Sequence, residues 1–111
     1  MVKWRYGEIV AASGGAYSSK PRPVLILQNP LFETGSSVIV APFTSMRKDE
    51  ITTRLAVSPS EANGLDRACY IEVDKMSAVK ASAIGPVIGR LDDETLKEVT
   101  SMAVALVSPT T

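Results

Sequence analysis

The sequence has 111 residues, 45% of them hydrophobic, with twelve basic and twelve acidic side chains and no histidine. A chain of this length supplies one hydrophobic core and excludes a second domain, and zero net charge excludes a general polyanion binder. With Cys69 as the one cysteine there is no disulfide framework and no zinc ligand set, and no apolar run approaches a membrane span, so a single soluble domain over residues 1–111, cytoplasmic and away from membranes, is expected.

The charge is unevenly distributed. Residues 1–60 hold seven basic and four acidic side chains, a net +3, whereas residues 61–111 hold five basic and eight acidic ones, a net −3. A basic first half attracts a polyanion or an acidic peptide.

In chain order, Trp4 to Val10 reads as a first strand, with Trp4, Tyr6 and Glu8 alternating against Arg5, Gly7 and Ile9. Ala11 to Ser19 reads as a flexible flap from its serines and glycines. Tyr17 within it is suited either to stacking on a ligand ring or to capping the core edge. The flap has neither the glycine and lysine spacing nor the following helix of a phosphate-binding loop.

Lys20 to Asn29 organises the rest. Pro21 and Pro23 fix their own φ and push the residue before each toward extended geometry, so Arg22 enters the following strand with its guanidinium pre-aimed. Val24 to Leu27 has no polar alternation, the mark of a strand buried on both faces. A fork of donors aimed in this way suits a planar carboxylate or a phosphate.

After a punctuated connection through Asn29-Pro30 and Gly35-Ser36, Val38 to Phe43 forms a second buried run, expected to lie beside the first. Pro42 is expected to make that strand irregular or to end it, leaving the Thr44 and Ser45 hydroxyls just past its terminus. Met46 to Ile51 reads as an exposed loop, Thr52 to Val57 as a strand carrying Arg54, and Ser58 to Asp66 as a turn. Ala68 to Asp74 alternates, with Cys69, Ile71 and Val73 on one face and Tyr70, Glu72 and Asp74 on the other. Ser77 to Ala83 is ambiguous, and Ile84 to Arg90 reads as a short last strand.

The final segment is a helix from Asp93 to Val107. Asp92 is its N-cap, Asp93 and Glu94 favour the positive end of the dipole, and Leu91 with Leu96 has staple spacing. Leu96, Val99, Ala103 and Leu106 form an apolar stripe and Pro109 stops continuation. The pattern is α+β, mostly β: a strongly bent antiparallel sheet or small barrel with a C-terminal helix.

Five collinear motifs then coincide. Arg5-x-Gly7-Glu8-Ile9-Val10, Arg22-Pro23-Val24-Leu25-x-x-Gln28-Asn29, Val38 to Ser45, Gly64-Leu65-Asp66-Arg67, and Ile88-Gly89-Arg90-Leu91 before an acid-capped helix together resemble the MazF/PemK (Kid) toxin family from about Trp4 to about Leu106. The resemblance implies a small SH3-like (CcdB/MazF-like) barrel, a homodimer, and cleavage of single-stranded RNA at short specific sequences, restrained by a MazE-like antitoxin. It implies no cofactor and no metal, because the RNA 2′-hydroxyl attacks the neighbouring phosphorus to leave a 2′,3′-cyclic phosphate and a 5′-hydroxyl.

Carried over position by position, Arg22 matches the family's catalytic arginine as phosphate clamp and acid, Thr44 its catalytic threonine, and Asp74 an aspartate able to assist as base. RNA contacts are expected from Tyr17, Lys20, Gln28, Asn29, Ser45 and Arg47. Glu72 stands where some members carry an arginine beside that aspartate, and the flap lacks the acid and histidine of longer first loops. The alternative is a non-enzymatic CcdB-like toxin that binds and poisons DNA gyrase; a degenerate member that only binds an antitoxin fits poorly with retention of both Arg22 and Thr44.

Overall fold

Valine- and isoleucine-rich runs fit a pleated, half-buried surface. The computed structural model, which describes residues 4–14 and 18–109, makes seven strands and one α-helix from them. In chain order these are β1 (Glu8–Gly14), β2 (Ser18–Ile26), β3 (Ser37–Thr44), β4 (Arg54–Val57), β5 (Cys69–Glu72), β6 (Ser77–Lys80), β7 (Ile84–Arg90) and α1 (Asp93–Val107). Antiparallel pairing runs in the order β4-β5-β3-β2-β1-β7, with β6 also on β3. The expected small barrel is therefore a bent but open sheet. Its path ends at β4 and β7, because β5 and β6 share one edge of β3 and, among the described residues, β7 pairs with β1 alone.

Two expectations at the front of the chain are corrected. Ala11 to Ser19 is not a long flap: β1 continues to Gly14 and β2 begins at Ser18, with Gly14 paired to Ser18. Small residues read as loop by composition, but here β2 pairs with Ala11, Ala12 and Gly14, β7 pairs with Ala12 from the other side, and Ala12 is buried. Tyr17 lies outside the described residues. Pro21 and Pro23 sit inside β2 rather than before it, which the sheet tolerates because the β2–β3 ladder begins only at Val24. Likewise Pro42 does not end β3, whose last residue is Thr44.

The two faces of this sheet are two cores. Ile9, Leu25, Ala41, Val57 and Ile71 face α1, where Leu96 and Val99 complete the cluster. Val10, Ala12, Val24, Ile26, Val38 and Val40 face the other way with Val79, flanked by Trp4 and Ile84. Consecutive β2 residues thus enter opposite cores and all of Val24, Leu25 and Ile26 are fully buried, as the unbroken apolar run requires. Each such side chain contributes about 1.5–3 kcal/mol on burial.

The helix forms where expected. Asp92 Oδ2 accepts from the Thr95 backbone N–H at 2.9 Å and from its hydroxyl at 2.9 Å, and these bonds hold the Asp92 carboxyl below the usual carboxylate range. Leu106 departs from the expected stripe: it is 42% exposed, in a last turn where Val104 and Val107 are exposed too. No described helix is long and apolar enough to cross a membrane.

Two of the five motifs meet. Gly64 has φ +69°, and a Cβ there would lie 2.3 Å from the Ile88 carbonyl oxygen; a Cβ on Gly89 would lie 2.3 Å from that of Asn63. The buried Asn63 side chain holds the turn, accepting from the Ser60 and Leu65 N–H groups and donating to Ser58 O, and Arg90 N donates to Ala62 O. Glycines at both positions let the two backbones touch.

One irregularity places a functional segment. Along β3, Phe43 pairs with Ile71 and Val40 with Ser77, so three steps on β3 correspond to six on its partner. The three surplus residues are the 3₁₀ turn Val73–Lys75, which drops Val73 into the helix-side core and puts Asp74 at the edge of β4.

Candidate functional site

Arg22 and Thr44, 22 residues apart in the chain, are brought together by register. The last β2–β3 pair is Val24↔Pro42, and Arg22 and Thr44 lie two residues beyond it on their own strands, on the same face as those two. On the far sides, Ala12 pairs with Arg22 and Tyr70 with Thr44. The result is one cross-strand row, Ala12, Arg22, Thr44, Tyr70, on the sheet face opposite α1. Paired neighbours in it, Ala12 with Arg22 and Thr44 with Tyr70, have Cα atoms about 4.5–5.5 Å apart.

Arg22 is exposed, and Thr44 is half-buried with Ser45 exposed beside it. Thr44 Oγ1 accepts from the Met46 N–H at 3.1 Å. This turn uses a lone pair and leaves the hydroxyl proton to be donated elsewhere. Arg47 follows on the same loop, bonded to Asp49 at 2.7 Å; that hydrogen bond, then the Asp49 charge and then Tyr70, raise its pKa.

Asp74 stands elsewhere. Glu72 lies one face-repeat along β5 from Tyr70, about 7 Å, and Asp74 lies beyond it in the 3₁₀ turn. There it meets Arg54, which pairs with Glu72 across β4 and β5. Arg54 Nη2 is 3.0 Å from Glu72 Oε2 and Arg54 Nε is 3.4 Å from Asp74 Oδ1, with the Arg54 and Glu72 side chains only 7% and 11% exposed. Desolvation pushes the Asp74 pKa up, but hydrogen bonds from Arg54 and Thr53 outweigh it, and the carboxyl is held below its usual range. A carboxylate so engaged is a weak proton acceptor.

A model of the family described as PemK-like, MazF-like toxin of type II toxin-antitoxin systems matches residues 5–107. The chain belongs to this family. It is 41% identical over 88 residues to the probable endoribonuclease MazF of Mycolicibacterium smegmatis, covering 78% of this chain and 81% of that protein. The Mycobacterium tuberculosis toxin MazF-mt6 superposes with a TM-score of 0.71 at 25% identity over 89% of this chain and 93% of that one. An endoribonuclease in complex with its cognate antitoxin from a mycobacterial species, at 18% identity, gives 0.75 over 95% of each chain, and the MazE-MazF complex of Deinococcus radiodurans, at 16%, gives 0.72 over 94% of each. These last two establish a shared PemK-like, MazF-like fold.

Within this family fold the remaining candidate residues separate. Lys20 is exposed one face-repeat before Arg22 on β2. Gln28 is corrected: it is buried, its Nε2 donates to Phe32 O (3.1 Å) and Thr34 Oγ1 (2.7 Å), and its Oε1 accepts from the Ile39 N–H (3.0 Å). Its amide holds the 29–36 connection in place and is not available to RNA. Asn29 is exposed, and its Oδ1 accepts from the Leu31 N–H at 2.9 Å.

Sequence reading missed two residues of the site. Arg54 supplies from the adjacent strand the guanidinium that Glu72 displaces from the position beside Asp74, a compensation visible only through strand register. Tyr70 had been assigned to the wet face, a sufficient signal had the β3–β5 pairing been known.

Proposed function

We propose that this protein is the toxin of a type II toxin-antitoxin pair, a sequence-specific endoribonuclease that cuts single-stranded RNA in the cytoplasm, acts as a homodimer and is restrained by a MazE-like antitoxin. The observation that carries the reading is the Arg22–Thr44 row in a chain whose family match spans residues 5–107. Support also comes from the relative at 41% identity, which is named a probable endoribonuclease, and that name is why the gyrase-binding alternative is set aside.

In this reading the RNA 2′-oxygen gives up its proton to water and bonds to phosphorus, the bond from phosphorus to the 5′-oxygen breaks, and that oxygen takes a proton from water. Negative charge grows on the two non-bridging oxygens of the phosphorane. Arg22 faces one of them with a fixed fork of donors, and Thr44, its lone pair occupied by Met46, donates its proton to the other. Because Asp74 is paired with Arg54, this row contributes stabilisation of charge rather than a carboxylate base.

The test is incubation of the purified protein in EDTA with single-stranded RNA containing all short sequence contexts. Fragments ending in 2′,3′-cyclic phosphate are expected at one recurrent sequence; intact RNA from the wild-type protein refutes the reading.

A further inference from the structure

The row through Arg22 and Thr44 continues to Tyr70. Its neighbours on β5, Cys69 and Ile71, are buried, while Tyr70 is half-buried and belongs to neither core. Ala56, next across the ladder, is small and exposed, and does not cover the ring from that side.

We propose that Tyr70 is a specificity residue, stacking on the RNA base adjacent to the phosphate held by Arg22 and Thr44. The strand spacing of about 4.8 Å puts its ring within reach of a nucleotide whose phosphate sits at Thr44. Single-stranded RNA is read by splaying its bases onto aromatic side chains. Stacking tolerates any base but rewards large ones, so Tyr70 biases the site toward a purine at that flank. The proposal rests on the endoribonuclease reading.

Once the cleaved sequence has been mapped, wild type, Tyr70→Phe and Tyr70→Leu are compared on one RNA carrying it. Tyr70→Leu is expected to raise KM about 5- to 150-fold with a much smaller change in kcat, and to relax the preference at one flanking position, while Tyr70→Phe restores both. Folded Tyr70→Leu with wild-type KM and preference overturns the proposal. A second measurement needs no variant: 2-aminopurine is placed on either side of the cleaved bond in an RNA made uncleavable by a 2′-deoxy nucleotide. Wild type should quench fluorescence at one of the two positions, and no quenching at either overturns the proposal. Failure of wild type to cut any RNA would instead sink the endoribonuclease reading.

Discussion

Arg54 bonds Glu72 across the β4–β5 ladder at 3.0 Å and reaches Asp74 at 3.4 Å, from a position where its own side chain is almost wholly buried. Removing Arg54 leaves the Glu72 carboxylate, 11% exposed, with only Lys75 at 3.7 Å, and breaking a buried pair in this way costs at most about 3–5 kcal/mol. Arg54→Met should therefore lower the urea midpoint sharply. A midpoint equal to wild type would show the cluster to be inert.

The same cluster sets an acid limit. The Asp74 pKa is lowered in the folded state, so its stabilisation is full above the unfolded value of about 3.9 and is lost as pH falls through the folded one. Asp92, also lowered, acts in the same direction. Thermal melts from pH 7 to pH 2 should show Tm falling below about pH 4, with a smaller fall in Asp74→Asn.

Loss of the Arg22 guanidinium should separate chemistry from folding. Removing one transition-state donor costs roughly 10²–10³ in turnover, and Arg22 is exposed on its strand, so Arg22→Ala should keep its circular dichroism and lose toxicity. Arg22→Lys should recover little, because lysine lacks the planar fork. A toxic Arg22→Ala would return this arginine to an ordinary edge charge.

Gly64→Ala tests the contact between two family motifs. Its φ of +69° and the 2.3 Å approach to Ile88 O impose backbone strain of about 1–3 kcal/mol before any clash is counted. The expected readout is a lower Tm, and with it loosened packing of β7.

An acidic antitoxin tail should compete with RNA for the face bearing Lys20, Arg22 and Arg47, and release on raising salt. Crosslinks confined to α1 would contradict this.

Long apolar runs and the Asp92 cap were enough to read the β2–β3 neighbourhood and the bounds of α1 from sequence, whereas Glu72, read as facing solvent, is buried against Arg54. Residues 11–14 were misread because alanine, serine and glycine carry no pattern, and the flanking strands fix their state. β6 escaped for the same reason. Gln28 looked like a ligand amide because sequence does not show burial, and Arg54 was invisible as a partner of Asp74 because register is a property of two strands together. Arg22 and Thr44 were legible through the family motif, whereas their meeting in one row was not.

The three-residue surplus at Val73–Lys75 is odd, and sheet side chains alternate with period two. Parity therefore inverts at the turn: Ile71 faces the helix-side core, and Val79, eight residues later, faces the opposite one. One nearly continuous stretch of chain thus seals both sides of the sheet. It follows that length matters more here than identity. Deleting a single residue from the turn would turn β6 inside out, offering Ala78 and Lys80 to a core built for Val79, whereas deleting two would keep its sidedness.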